Sequence, residues 1–547
     1  MFTSLRRFGV VLASVALALT AGSSSAWAGT LTQDQAEELR LYDAALVVAR
    51  PGAGPTLRRA GGVKIATALP VWQVPSRSAL RVLPGLIRDG LVSGLSADQP
   101  LSTFQEPLEA QEWWIPVVRA NQAVPPGPGK PLTVIDSGVD LAHEEFATRP
   151  STIAMNAQST TAQHEEHGTA VASVAAAPVN NLGLVGIYPQ AALQIWDASP
   201  FGDGLSVGDV VQGLDAAIRR GQGVVNLSLG SQFRNPVLEA MIAVTVGSGT
   251  LVVAAAGNSR DRGNPREYPA SFPHVLTIGA LDLNGAPAFF SSGSPHVDLA
   301  APGVDIPVAV PTTLHPPAFY EPTGFSGTSF AAPLVSGAAA WVWTVRPTLD
   351  AGQLFDVMRA SAQDVSSPGY DTFSGFGRLD VPTALTVAPP ARDSQEPNED
   401  VIYVKPHGLL RRAPAPLTVA GKRSGAVNAR LDVGDDPRDV YRFWIPGRRA
   451  ASIALQPSGG DIDLAAWGPL TSSVLEGGSA RKRDSRGLSE RLGTRRERLR
   501  VKNRGRKGAY FYLEASVGAG GGSVTRKVAG LKYGLAVSIV KPKATRR

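Results

Sequence analysis

Between residues 106 and 388 short apolar runs alternate with helical stretches, and no other feature restricts the fold as much. The runs are Thr133 to Ile135, Leu193 to Trp196, Val224 to Leu229, Leu251 to Ala255 and Val275 to Ile278. Several are rich in Val and Ile without polar alternation, as strands buried on both faces require. Gly168 to Ala177, Val207 to Arg219 and Val237 to Val246 separate them as predicted helices. The alternation predicts an α/β fold built on a parallel sheet with right-handed crossovers. A further predicted helix, Ser329 to Val345, carries Ala and bulky apolar residues on most of its sides, so it should be buried.

The flanks read differently. A chain of 547 residues exceeds one compact domain. Residues 29–105 form a small α+β unit: a strand from Ala44 to Arg50, a helix from Ser78 to Asp89 that Pro84 should interrupt, and a strand from Leu91 to Leu95. Residues 389–400 are Pro-rich, then polar and acidic, which is the composition of a linker. In 401–547 the runs Val440 to Ile445, Ala451 to Leu455, Ile462 to Trp467, Ala509 to Ala515 and Tyr533 to Ile539 are separated by Gly-rich turns, which predicts a β-sandwich.

Residues 1–28 have the make-up of an export signal. Arg6 and Arg7 precede the apolar stretch Phe8 to Ala21, and Ala26-Trp27-Ala28 offers a small-residue cleavage site. The stretch is shorter than the roughly 20 residues of a membrane anchor. Secretion without a transmembrane anchor is therefore expected. There is no cysteine, which excludes disulfides, thiolate metal sites and a cysteine nucleophile. The net charge of +7 favours anionic surfaces. Much of it sits in Arg481 to Lys507, where 13 Lys and Arg face three acids. That run is either a solvated loop or a contact for an anionic polymer such as cell-wall material or nucleic acid, and it carries no interleaved aromatics for base stacking.

Three segments carry potential chemistry. Val134-Ile135-Asp136-Ser137-Gly138 puts a carboxylate at the end of an apolar strand, the edge where open α/β sheets collect their sites. His167-Gly168-Thr169 opens a helix of small residues. Ser326-Gly327-Thr328-Ser329 places a serine at a helix start, with Pro333 expected in its first turn. Taken singly, each is commonly a turn residue, a structural histidine or a simple cap. Taken together, in the order Asp, His, Ser on one α/β unit, they match one of the known orders of a nucleophilic triad.

These segments, with Asn226-Leu227-Ser228-Leu229-Gly230 and Ala255-Ala256-Gly257-Asn258, make residues 106–388 resemble the subtilisin-like (subtilase) serine peptidases. The resemblance implies a hydrolase that cleaves peptide bonds through an acyl-enzyme. Ser329 would be the nucleophile, His167 its base, Asp136 the group that orients the imidazole, and Asn258 with the Ser329 N–H the oxyanion donors. Ser228, Leu229 and Gly230 would form an edge that pairs with an extended polypeptide substrate, giving broad specificity. His143 matches the family's structural histidine. Ala170 replaces a second histidine that the family often has outside the triad. No catalytic cofactor is implied. His164, Glu165 and His167 match no zinc pattern, and Glu165 and Glu166 read as an acidic turn. Asn180-Asn181-Leu182-Gly183 resembles a shortened calcium loop with Glu145 as a candidate ligand, though six to eight oxygens cannot be assembled from the sequence.

By position, residues 29–105 resemble the family's inhibitory prosegment, which the enzyme would remove near Leu101 to Glu106 to act as a monomer. Glu396-Pro397-Asn398-Glu399, Asp439 to Phe443, Asp461 to Leu464 and Gly508 to Phe511 resemble the pre-peptidase C-terminal β-sandwich. Three other readings compete with a broad extracellular endopeptidase: an inactive binding protein on the same fold, a processing enzyme for one partner, and an adhesin built around the sandwich.

Overall fold

The structure, a computed structural model, describes residues 30–98, 106–156, 166–200, 204–314, 319–393, 395–475, 482–518 and 530–541. The expected export signal, nearly all of the expected processing window, His164 and Glu165 lie outside these residues. The chain divides into two compact units, 1–104 and 105–547.

In the first unit β1 (Ala44–Ala49), β2 (Val63–Lys64), β3 (Val71–Pro75) and β4 (Val92–Ala97) form an antiparallel sheet in the order β2-β3-β1-β4. The helix Ser76–Arg88 buries Ala79, Leu83, Leu86 and Ile87 in one core with Val47, Trp72 and Val74 of the sheet. It runs through Pro84, where an interruption was expected. Pro84 is exposed, so the ring costs one hydrogen bond at the surface while the apolar contacts on both sides of it keep the helix seated.

The second unit is built on seven parallel strands: β5 (Pro131–Asp136), β6 (Thr152–Ala154), β7 (Ala192–Asp197), β8 (Val224–Leu227), β9 (Leu251–Ala255), β10 (Val275–Leu281) and β11 (Val297–Pro302). Their order is β11-β10-β9-β8-β5-β7-β6. This is the expected α/β architecture, with β6 and β11 added to the strands read from the sequence. Side chains alternate between two cores. Leu132, Val134 and Val253 face the helices Glu166–Ala176 and Thr328–Val345, while Ile135, Val225 and Val252 face Val207–Arg220 and Pro236–Gly247. Both faces are thus dry, which explains the unbroken apolar runs. The helix Thr328–Val345 is buried nearly all round, as its composition requires. A hairpin of β12 (Ile306–Ala309) and β13 (Tyr320–Phe325) follows β11.

The chain then forms eight antiparallel strands: β14 (Ser424–Leu431), β15 (Arg438–Ile445), β16 (Ala450–Ser458), β17 (Ile462–Trp467), β18 (Ser485–Ser489), β19 (Glu497–Lys502), β20 (Ala509–Val517) and β21 (Leu531–Val540). They make two sheets, β14-β21-β16-β19 and β15-β20-β17-β18, with Tyr441, Phe443, Leu455, Leu464, Phe511 and Leu535 between them. This is the expected β-sandwich. The basic run 481–507 supplies β18 and β19, with Arg498, Arg500 and Lys502 on the outside of β19. The segment expected to be a linker is buried at its end. Asn398 is fully enclosed and its side chain accepts from Val440 N at 3.0 Å, while Glu399 and Asp400 are also buried. No helix among the described residues is long and apolar enough to cross a membrane.

Candidate active site

Asp136 closes β5, an interior strand at which the chain switches direction across the sheet, and so it opens at the carboxyl edge where crossovers leave a crevice. Its side chain is buried, and Oδ1 accepts from Ser137 N at 2.8 Å and from His167 Nδ1 at 2.7 Å. That contact fixes the imidazole proton on Nδ1 and leaves Nε2 as the free base. His167 is the second residue of the helix Glu166–Ala176. The next residue must be glycine, because a Cβ on Gly168 would lie 1.9 Å from the carbonyl oxygen of Gly138. Ser137 Oγ accepts from Gly168 N at 3.1 Å, and Thr169 Oγ1 accepts from Asp140 N at 2.9 Å. The two motifs are therefore one unit, in which the end of β5 and the start of the helix hold Asp136 and His167 together. Burial pulls the imidazole pKa down, but the charge and hydrogen bond of Asp136 outweigh it and leave His167 above its ordinary value.

Ser329 is the second residue of the helix Thr328–Val345, where backbone N–H groups lack helical partners. The His167 ring packs against Phe330, the residue after it, with ring centroids 6.0 Å apart. Ser329 Oγ donates to the Ser228 carbonyl at 3.4 Å, and no hydrogen bond joins it to His167. The resting hydroxyl is thus turned toward β8. Ser228 Oγ in turn donates to the Ser329 carbonyl at 2.8 Å. This explains Pro333, which the sequence placed in the first helical turn and which is in fact the sixth residue of the helix. A proline there removes the N–H that the Ser329 carbonyl would accept, and Ser228 replaces it. Asn226 Nδ2 donates to Ser228 Oγ at 3.0 Å, and Ser336 Oγ donates to Asn226 Oδ1 at 3.1 Å. Sequence reading had assigned Ser228 to substrate and had missed this chain, whose members lie about 100 residues apart. Leu229 is half-buried and Gly230 exposed, so the edge beyond Ser228 is open.

Asn258 lies just after β9. Its Oδ1 accepts from both Thr328 N and Thr328 Oγ1, each at 2.9 Å. With the oxygen held by two donors, the amide nitrogen is left to point away, beside Gly327. Thr328 Oγ1 also accepts from Gly257 N at 3.1 Å, tying the Ala-Ala-Gly-Asn turn to the serine helix. Glu267 was also missed. A side chain on Gly257 would collide with it, and one on Gly230 would meet its Oε2 at 3.9 Å, so its carboxylate stands between the two segments that flank Ser329.

His143 is fully buried, accepts from Glu145 N at 3.1 Å through Nδ1, and therefore donates from Nε2 to the Phe319 carbonyl at 2.7 Å. At the loop 180–183, Glu106 accepts from the N–H groups of Asn180, Asn181 and Leu182. Glu145 accepts from Leu184 N, Tyr320 and Asn180 Nδ2. Burial pushes the Glu145 carboxyl up to about 7 against those hydrogen bonds. These oxygens are spent on protein donors, so the loop is closed by hydrogen bonds and does not fit a calcium ion.

Residues 127–377 match the model described as the Subtilase family. Over 278 residues the chain is 30% identical to Subtilisin DY of Bacillus licheniformis, a match that covers 49% of this chain and 97% of that one. Subtilisin of Bacillus pumilus is 31% identical over 259 residues, covering 46% and 90%. An alkaline protease of Shouchella clausii is 32% identical over 289 residues, covering 50% and 72%. Among solved structures, the psychrophilic subtilisin-like protease Apa1 from Pseudoalteromonas sp. AS-11 aligns with a TM-score of 0.44 at 20% identity, over 50% of this chain and 96% of that one.

Proposed function

The chain belongs to the subtilase family and is a subtilisin-like serine endopeptidase, and on that premise we propose that Asp136, His167 and Ser329 perform its peptide-bond hydrolysis. The observation that carries this reading is the 2.7 Å contact between His167 Nδ1 and a buried Asp136 carboxylate, with the imidazole ring seated beside the residue that follows Ser329. A serine hydroxyl is a weak nucleophile until a neighbouring base takes its proton. Rotation of Ser329 away from the Ser228 carbonyl brings that proton to His167 Nε2. Asp136 then stabilises the imidazolium, which returns the proton to the leaving amine. The carbonyl oxygen gains negative charge as it is attacked, and the Asn258 amide and the Ser329 N–H donate to it.

The open edge at Leu229 and Gly230 accepts an extended polypeptide through main-chain hydrogen bonds, which tolerates many sequences. Within that breadth, the Glu267 carboxylate favours a basic side chain at the residue whose carbonyl is attacked. We read residues 1–28 as an export signal, 29–105 as an inhibitory prosegment removed by the enzyme itself, and 401–547 as an accessory sandwich on a secreted protein.

The test is a fluorophosphonate probe with casein and a peptide library as substrates. The probe labels Ser329, casein is digested, and the library shows an excess of cuts after Lys and Arg. The Ser329→Ala protein takes no label, remains full length when no other protease is present, and loses about 10⁶-fold in turnover, the order seen when subtilisin loses its nucleophile. Casein digestion that survived Ser329→Ala would overturn the assignment.

A further inference from the structure

A second cluster of reactive side chains lies away from Ser329, where the sandwich meets the seven-stranded sheet. His274 is in the turn that enters β10. Glu396 and Glu399 come from the buried end of the segment before the sandwich, and Asp436 from the turn between β14 and β15. One ligand atom from each of these four residues lies within 4.8 Å of the others. Glu399 and Asp436 are each only 8% exposed. His274 Nε2 contacts Glu399 directly and stands 3.5 Å from Glu396 Oε2.

The decisive observation is what these carboxylates lack. Asp436 Oδ1 and Glu396 Oε2 are buried and accept no hydrogen bond. The same is true of Asp439 Oδ1 and Asp393 Oδ1 close by, although Asp439 accepts from Tyr533 and Asp393 from Arg430 N through their other oxygens. His274, Asp393, Glu396 and Asp436 also help to line a cavity of ≈350 Å³. Buried polar atoms are almost always satisfied, and anionic ones cost the most when they are not. Glu145, by contrast, collects N–H and O–H donors on both of its oxygens. Here five acids converge with one imidazole, and the Arg430 guanidinium, which lines the same cavity, is already paired with Asp356.

We propose that His274, Glu396, Glu399 and Asp436 bind a divalent cation that ties the sandwich to the catalytic sheet. Carboxylate oxygens around a single imidazole suit a hard or borderline divalent ion. Ligands on opposite sides of a calcium ion lie about 4.6–5.2 Å apart and those of smaller ions less, so the 4.8 Å grouping accommodates one ion. Three ligands come from beyond residue 389 and one from the sheet, so the ion bridges the two layers. The site touches none of the residues proposed for catalysis and stands or falls independently of them.

The experiment uses the full chain carrying Ser329→Ala, so that it does not digest itself. The protein is stripped with EDTA, loaded separately with CaCl₂, MnCl₂ or ZnCl₂, desalted, and assayed for bound metal by mass spectrometry. For one of the three ions the parent holds one equivalent more than the Asp436→Asn or Glu396→Gln variant. At a hundredfold excess over its Kd that ion raises the parent Tm by roughly 5 °C and leaves the variants unchanged. Using two variants guards against misfolding of either one, checked by circular dichroism. Two results overturn the proposal. One is equal metal content in the parent and both folded variants for all three ions. The other is a variant more stable than the parent whatever the metal, as expected if the acids share protons instead.

Discussion

The oxyanion donation proposed for Asn258 can be separated from that residue's support of the fold. Its Oδ1 caps the serine helix through Thr328, while its amide nitrogen has no such duty. Asn258→Asp keeps the accepting oxygen and removes the donor. Its kcat should fall by roughly 10²–10³, the loss known for the corresponding donor in subtilisin, with KM nearly unchanged. In the proposed mechanism His167 sets the pH dependence. Only the neutral imidazole accepts the serine proton, so activity is lost as pH falls through its pKa. Because Asp136 holds that value above the ordinary one, the acid limb of kcat/KM should lie above 6.5. Asp136→Asn should move the limb to lower pH and cut kcat about 10⁴-fold. At the third position, Glu267→Gln should lower kcat/KM about 3–10-fold for substrates with Lys or Arg before the cleaved bond and leave neutral ones unchanged.

At the scale of elements, two joints hold the site. One joins β5 to the histidine helix through the close approach of Gly168 and Gly138. The other joins β8 to the serine helix through Asn226, Ser228 and Ser336. Ser336→Ala empties a buried link and should cost about 1–3 kcal/mol, read as a lower midpoint in urea. Kinetic loss should be modest, because Ser228 still holds the Ser329 carbonyl. The segments proposed to carry the triad and Asn258 stand out in the sequence because each is a short motif with local meaning. The second joint does not, because its hydrogen bonds link residues that only the crossovers bring together. The same physics sorted the strands. β5 and β7 to β10 are buried on both faces and announce themselves as apolar runs. By contrast, β6 is three residues at an exposed sheet edge, β11 carries the buried Asp298, β18 has no buried residue, and β19 alternates with outward arginines and a lysine. Pro84 misled in the opposite direction, since local propensity gave way to tertiary packing.

At the scale of the molecule, the sandwich and the seven-stranded sheet share charged groups as well as surface. Arg359, on the helix Ala351–Ser361, is 4% exposed and faces Asp298 of β11 at 3.7 Å, Asp432 at 2.6 Å and Asp435 at 3.5 Å. Arg359→Met leaves that acidic set without its guanidinium and should destabilise the protein by about 3–5 kcal/mol, seen as earlier thermal unfolding of both layers together. The sequence suggests a linker between them because residues 389–400 are Pro-rich, acidic and polar. Their composition was read correctly, but their burial depended on partners in both layers. One consequence concerns portability. A sandwich transplanted onto a different protease would bring Asp432 and Asp435 without their arginine, and the protease left behind would keep Arg359 beside Asp298 with most of its counter-charge gone. Recombining such halves therefore requires exchanging the contact residues as a set, and a graft that swaps the strands alone should yield insoluble chains.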